Sequence, residues 1–398
     1  MIKSILDTDL YKLTMQQAVC HLFPHAVVRY KFIDRGSFHC FTQDVVKKIE
    51  HAICKMESLA LSNAEYSFLK NTCPFLNPVY LDFLKGYRFN KQEVDVYRDE
   101  YDNLYIDVEG PWYRTILWEV PLLAIVSEIG MESRGFSTDK ILEDQKKFEA
   151  LTVLKVNKME ENKAKFADFG TRRRFSYEMQ DRVVSIFSKF PNTFFGTSNV
   201  HLAMKHNTKP MGTQAHEWFM FMGAHSGFNS ANPAGLEKWV DVYQGDLGIA
   251  LTDTFTFDAF LKSFTLKYAK LFDGLRHDSG DSFVFADKAV EHYLKLGIDP
   301  RSKTLVFSDS LDVEKAIKIK KYCGDRINVS FGIGTNLTND EAWTGTKSFN
   351  IVMKLDSVLG ESSRWIPVVK LSDTEGKHTG NIEMVDLCKK TIKLMKGD

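Results

Sequence analysis

LFDGLRHDSGDSFVFADKAVEHYLKL, residues 271–296, is the stretch that decides the fold. Its short apolar start, 271–275, predicts a buried strand. Arg276-His277-Asp278-Ser279-Gly280-Asp281 then interrupts the apolar run with charged and turn-forming residues. Apolar residues return at helical spacing over 285–296. The same order of apolar run, polar loop and helix recurs to either side. Further strands are expected at 166–169, 193–195, 247–251, 304–307 and 328–332, and further helices at 141–161, 175–187, 235–243, 256–264 and 311–322. Such alternation implies parallel strands joined by right-handed crossovers. Six or more units in about 220 residues point to a βα barrel rather than an open sheet.

Outside this region the rhythm differs. Residues 1–125 read as a mixed α/β domain, with helices at 9–23 and 43–56 and strands at 27–33, 93–97, 104–108 and 116–120. Residues 126–345 carry the barrel. Residues 346–398 show strands again, at 350–355 and 365–371, and are expected to return to the first domain. There are no internal repeats, low-complexity tracts or Pro/Gly/Ser-rich linkers, so the units pack together. The 30 phenylalanines are spread evenly, which favours a large core over one aromatic stripe.

Composition excludes several classes. Lys plus Arg equals Asp plus Glu at 52 each, so bulk charge gives no reason to expect nucleic acid or an acidic membrane. The six cysteines form no CxxC pair, against a zinc knuckle or dithiol site. They are expected as reduced thiols in a cytoplasmic protein. The first residues, with acids by position 7, do not read as a signal peptide, and no membrane helix is expected from the apolar runs.

In a βα barrel the loops after the strands form the active face. Seven polar loops fall there: 168–172, 196–199, 212–217, 252–254, 276–281, 308–310 and 332–336. Their chemistry suits a small phosphorylated ligand. Gly332-Ile333-Gly334-Thr335-Asn336 offers backbone N–H groups and a hydroxyl to a phosphate, although a GxG can be only a tight turn. Arg276 and Asp278, with Asp309, supply the cation and carboxylates that a Mg²⁺-pyrophosphate needs. One arginine of Arg172-Arg173-Arg174 is expected at a ligand, the other two solvated or paired with helix acids. A flat heteroaromatic acid would want rings, from Phe169 and Tyr11, and a partner for its carboxylate, Arg276 or Ser198. His216 stands in a polar loop, where Asp253 or Glu217 would orient it as a nucleophile.

At these loops the chain resembles the nicotinate phosphoribosyltransferase family. The resemblance is carried by TDLYKLTMQQ (8–17), YKFIDRG (30–36), FADFGTRRR (166–174), FFGTSNVHLA (194–203), GTQAHEW (212–218), LTDTF (251–255), RHDSGD (276–281), SDSLD (308–312) and FGIGTNLTND (331–340). It implies an irregular, incomplete α/β barrel of the type II phosphoribosyltransferases beside an N-terminal α/β domain. It implies ATP-dependent synthesis of nicotinate mononucleotide and pyrophosphate from nicotinate and 5-phosphoribosyl 1-pyrophosphate, a step of NAD biosynthesis, with Mg²⁺. By the same resemblance His216 is the histidine that ATP phosphorylates and Asp253 the carboxylate that orients it. Phe169 stacks on the pyridine, and Tyr11 covers its other face, in relatives often from a second subunit, so a homodimer with a shared site is expected. Arg172 and Arg276 look like contacts to phosphates and pyridine. Thr197, Ser198 and Ser279 belong to the substrate loops, Asp278 and Asp309 are the ribose and metal-pyrophosphate carboxylates, and Gly334 and Thr335 cradle the 5-phosphate.

The alternative within the fold is a nicotinamide phosphoribosyltransferase. Such relatives carry an aspartate where this chain has Ser198, and a buried carboxylate would repel nicotinate. Quinolinate phosphoribosyltransferases are shorter and lack the GTQAHEW loop. A non-catalytic barrel would tolerate loss of His216, Arg276 and Asp278, yet all are present. No HxH ligand set suggests a metal-dependent hydrolase.

Overall fold

The computed structural model describes residues 1–36, 40–374 and 376–394. The last four residues of the C-terminal segment thus lie outside the described residues. Twelve strands run in chain order: β1 Val27–Asp34, β2 Val94–Arg98, β3 Leu104–Pro111, β4 Phe166–Asp168, β5 Phe194–Thr197, β6 Lys209–Pro210, β7 Ile249–Leu251, β8 Gly274–His277, β9 Thr304–Phe307, β10 Asn328–Ile333, β11 Ile351–Leu359 and β12 Trp365–Pro367. They make two sheets. β4 to β10 form a seven-stranded parallel sheet in the order β6-β5-β4-β10-β9-β8-β7. It curls into a half-barrel whose end strands β6 and β7 are not paired, so the barrel is incomplete, as the resemblance implied.

The other five strands form an antiparallel sheet in the order β12-β11-β1-β3-β2. The C-terminal β11 therefore pairs with β1 near the N-terminus. In β1 the alternation VVRYKFID buries Val28, Tyr30 and Phe32 on one face. In β11, Ile351, Met353 and Leu355 are buried, and Val352 and Lys354 point the other way.

The helix Leu10–Leu22 is buried along its first ten residues, Leu10 to Val19. Its start docks on the open side of the half-barrel: Leu10 N donates to Ser198 O at 2.8 Å, and Asp9 bridges to Asn199. On the same side Thr213 Oγ1 donates to Ile249 O of β7 at 2.9 Å, across the gap between β6 and β7. The first motif of the chain is thus carried to the C-terminal ends of the parallel strands.

Three expectations need correction. Residues 116–120 are not a strand; they lead into the helix Glu119–Ser133. That helix is buried almost all round, from Glu119 to Met131, so its apolar run shows no 3.6-residue period and reads as a strand. Leu271 ends the helix Leu266–Leu271, and the strand begins at Gly274, so Arg276 and His277 lie within β8 rather than in the following loop. His216 is not in a loop but opens the helix His216–Ser226. Helices Asn63–Thr72 and Pro78–Gly86 were also unforeseen.

Candidate active site

The strand ends of the half-barrel and residues 352–355 of β11 enclose a cavity of about 530 Å³. All the site residues expected from sequence line it except Asp253, Thr197 and Ser198. Their placement follows from the strands. Phe169 directly follows β4, Asp278 follows β8, Asp309 lies two residues past β9, and Gly334 follows β10.

Phe169 is held by a close approach of two backbones. Its N–H donates to Ile333 O at 2.8 Å. A Cβ on Gly332 would lie 2.3 Å from the Phe169 ring, so only glycine leaves room for it. A Cβ on Gly170 would meet the Thr338 side chain, whose Oγ1 donates to Gly170 O at 3.0 Å. The two loops thus interlock behind the ring. Arg276 lies 5.9 Å from the ring centroid on the cavity side. Tyr11 lines the same cavity from its own chain, with a buried hydroxyl that has no hydrogen-bond partner.

The arginine triple divides differently from expectation. Arg172 and Arg173 both line the cavity, and Arg173 Nε also donates to Ile351 O at 2.8 Å. Arg174 is fully buried in a two-pronged pair with Asp7, at 2.6 and 2.9 Å. It is neither solvated nor paired with a helix acid. Asp7 also accepts from Asn199 Nδ2 at 2.8 Å, so this buried pair fastens the N-terminal segment to the half-barrel.

His216 has partners on both ring nitrogens. Nδ1 lies 3.0 Å from Thr254 Oγ1, and Nε2 lies 2.9 Å from Asp278 Oδ2 and 2.8 Å from Lys370 Nζ. The two neighbours of Nε2 favour opposite states: the ammonium donates to a lone pair, whereas the carboxylate accepts from an N–H. Burial first and Lys370 second hold the imidazole below its ordinary pKa, so the neutral form is favoured, its Nε2 lone pair facing the Lys370 ammonium when the proton is on Nδ1. Burial pushes Asp278 up, but Arg276 and the His216 contact outweigh it and keep its carboxyl well below the usual range. Arg276 Nε donates to Ser308 Oγ at 2.8 Å, and Ser308 Oγ donates to Asp278 Oδ1 at 2.7 Å.

Asp253 faces His216 at ion-pair range, farther than Asp278 and without a hydrogen bond. Its Oδ1 stays 3.7 Å from Nε2, and its Oδ2 accepts from Ser279 Oγ and lies 3.4 Å from Lys370 Nζ. Glu217, the other carboxylate considered, points away to Lys12 and Tyr30. Thr197 and Ser198 also lie off the cavity. Thr197 Oγ1 donates to Asp168 at 2.8 Å, and Ser198 Oγ donates to Asp9 at 2.6 Å. Both hydroxyls are spent on buried carboxylates, Thr197 joining Gln180 and the Gly170 N–H on Asp168. Burial pushes Asp168 up to about 6 even so.

The sequence reading missed one wall. Lys354 of β11, Lys370 beyond β12, Lys377 and Arg35 line the cavity with Arg172, Arg173 and Arg276. These seven cations face Glu119, Glu217, Asp278, Asp309 and Asp312. A chain of zero net charge thus concentrates positive charge at one cavity, as a polyanionic ligand requires. Arg35 and Thr254 fall inside quoted motifs and were open to notice. Lys354 and Lys370 had no local signal. Among the described residues no group of three or more His, Cys, Asp and Glu is gathered to hold a metal ion, and no helix is long and apolar enough to cross a membrane.

A curled half-barrel of parallel strands with a mouth rich in basic side chains, closed on one side by an antiparallel sheet, defines a type II phosphoribosyltransferase. Two family models match: the nicotinate phosphoribosyltransferase family over residues 164–396, and its N-terminal domain over residues 6–127. The chain belongs to the nicotinate phosphoribosyltransferase family. It is 49% identical over 399 residues to a nicotinate phosphoribosyltransferase of Chromohalobacter salexigens, covering 100% of both chains. A second, from Methanosarcina acetivorans, is 49% identical and covers 96% of this chain and 95% of its own. The crystal structure of the Porphyromonas gingivalis nicotinate phosphoribosyltransferase superposes with a TM-score of 0.94 at 45% identity, covering 99% of this chain and 100% of that one.

Proposed function

We propose that the protein makes nicotinate mononucleotide and pyrophosphate from nicotinate and 5-phosphoribosyl 1-pyrophosphate, driven by ATP through a transient phosphate on His216. The observation that carries this reading is the His216 constellation. An imidazole biased to its neutral form opens on the same cavity as two aromatic rings and a cluster of cations.

In this reading Phe169 and Tyr11 hold the pyridine ring, and Arg172 and Arg276 answer its carboxylate and the neighbouring phosphates. The pyridine nitrogen bonds to the ribose anomeric carbon as the bond to the pyrophosphate oxygen breaks. The nitrogen is already nucleophilic, so positioning and charge stabilisation carry the step. Asp278 and Asp309 face the ribose and the leaving group, and Gly334 and Thr335 hold the 5-phosphate. Asp278 and Asp309, two carboxylates without a third ligand, would help hold a Mg²⁺ ion brought with the substrate, which would supply charge neutralisation to the leaving group. For coupling, the His216 Nε2 lone pair attacks the γ-phosphorus of ATP, a P–N bond forms, and ADP leaves. Lys370 then faces the new phosphoryl charge. Hydrolysis of that bond returns phosphate, which makes the enzyme formally a ligase.

Nicotinamide is not favoured in this reading, in which Arg172 and Arg276 answer a carboxylate that it lacks. The cavity's cations suit a carboxylate, and a neutral carboxamide leaves them unanswered. Ser198 no longer supports that choice, because its hydroxyl is committed to Asp9.

The test offers purified protein phosphoribosyl pyrophosphate and Mg²⁺ with nicotinate or nicotinamide, each with and without ATP. Mononucleotide is followed by chromatography in the wild type and in His216→Ala. Product from nicotinate only, raised by ATP in the wild type but not in the variant, supports the reading. Product from nicotinamide, or ATP stimulation that survives His216→Ala, refutes it.

A further inference from the structure

Behind the cavity wall lies a buried ion network. Lys12 is fully buried, and its ammonium contacts two carboxylates, Glu119 Oε2 at 2.5 Å and Glu217 Oε2. Each carboxylate uses its other oxygen elsewhere. Glu217 Oε1 accepts from Tyr30 Oη at 3.2 Å and Trp112 Nε1 at 3.4 Å, which fixes it to the antiparallel sheet and to the helix that follows β3. Glu119 Oε1 lies 3.5 Å from Arg172 Nη1. Lys12 alone cannot neutralise two carboxylates, and an uncompensated buried charge is strongly destabilising. Arg172 supplies the missing positive charge from the cavity side.

The network also joins the working parts of the site in sequence. Lys12 adjoins Tyr11, and Glu217 adjoins His216. Both carboxylates reach the cavity wall.

We propose that Glu119, anchored by Lys12, is a positioning residue for Arg172: it holds the guanidinium on the cavity wall so that its free donors face the substrate anion. The proposal rests on the reading that Arg172 binds substrate. Two opposing effects decide its sign. Glu119 competes with the substrate for the guanidinium. Against that, it removes rotamer freedom that binding would otherwise have to remove. A guanidinium has five N–H donors, and the Glu119 contact engages one nitrogen at 3.5 Å while 42% of the Arg172 side chain stays open. Competition is therefore weak, and pre-ordering of a rotamer-rich side chain prevails.

Arg172→Ala comes first. The substrate whose KM it raises is the one this guanidinium holds, and if no KM moves, the binding assignment of Arg172 itself falls. Glu119→Gln is then expected to raise the same KM about 3- to 10-fold, with kcat within about twofold, and to add nothing in the Arg172→Ala background. That non-additivity is a readout that a merely structural ion pair would not produce. If Glu119→Gln alone does not fold, Glu119→Asp takes its place in the cycle, because it keeps a carboxylate for Lys12 while drawing it back from Arg172. The proposal is overturned if Glu119→Gln leaves that KM unchanged, lowers it, or multiplies the effect of Arg172→Ala.

Discussion

The two walls of the cavity are built on different plans. On the half-barrel wall Phe169, Asp278, Asp309 and Gly334 each sit one or two residues past a strand end, with Arg276 on β8 itself, so the sheet fixes their positions. Charges there are paired and hydrogen-bonded: Arg276 with Ser308 and Asp278, and Asp278 with His216. On the opposite wall Lys354, Lys370 and Arg35 come from the antiparallel sheet or just beyond it. The charged residues of this wall are all basic, set among Val352, Met353 and Leu355, and they are less fully paired. The first wall supplies geometry and the second supplies charge. A site for a polyanion needs both, because preorganised donors fix the reacting atoms and excess positive charge gathers the ligand.

If that division holds, the walls should fail differently. Arg276→Met removes a group embedded in the paired network, and a loss of about 10²–10³ in kcat/KM is expected, as for other preorganised electrostatic donors. Steady-state kinetics with nicotinate checks it. Lys370→Met should act more narrowly. It removes the cation on His216 Nε2, so incorporation of label from γ-³²P-ATP into the protein should slow about tenfold, in line with one positioned charge. ATP-independent mononucleotide synthesis should change much less. A Lys370→Met variant that lost both activities equally would erase the distinction between the walls. A smaller effect is expected behind Phe169. Gly332→Ala forces a methyl group into the ring, which should cost about 1–3 kcal/mol of stability and raise the KM for nicotinate before that for phosphoribosyl pyrophosphate. Equal rises in both would mean that Phe169 does not face the pyridine.

The same division explains what the sequence made legible. The half-barrel wall was readable because strand, loop and helix follow one another locally, and its functional residues cluster in short motifs such as RHDSGD and GTQAHEW. The charge wall was not. Lys354 sits inside NIVMKL, where alternation announces a half-exposed strand and nothing announces a ligand, and Lys370 lies 154 residues from the histidine it touches. The pairing of β11 with β1, and Leu371 N donating to Thr254 O at 2.8 Å, bring that segment to the barrel mouth. The hydroxyls misled for a related reason. Thr197 and Ser198 sit in a substrate-like loop, but the demands of buried Asp168 and Asp9 decide where they point, and such demands appear only after folding. Two of the missed helices did carry signals. Ser62 and Glu65 form a capping box, and Asn77 caps a helix with Pro78 at its first turn. The helix Glu119–Ser133 carried none, since uniform burial leaves no period to read.

The smallest effect tests the charge wall most directly. Burial, then Arg35 and Lys370, lowers Lys354 from 10.5 to about 7. At pH 8 in the free protein this lysine is therefore mostly neutral. A phosphate monoester is already dianionic there, because its second pKa is about 6. Binding it beside Lys354 favours the ammonium and raises the lysine pKa, so the complex takes up a proton from solvent. The uptake should be a fraction of one proton at pH 8 and should fade toward pH 6, where Lys354 is charged in both states. Calorimetric titration with phosphoribosyl pyrophosphate in buffers of different ionisation enthalpy measures it, and Lys354→Met should abolish it. On the half-barrel wall Asp278 is held ionised across this range, and the neutral His216, which an anion could also protonate, is removed by running both proteins in the His216→Ala background. Uptake that persisted in Lys354→Met would place the phosphate away from β11 and assign the gathering of charge to the arginines alone.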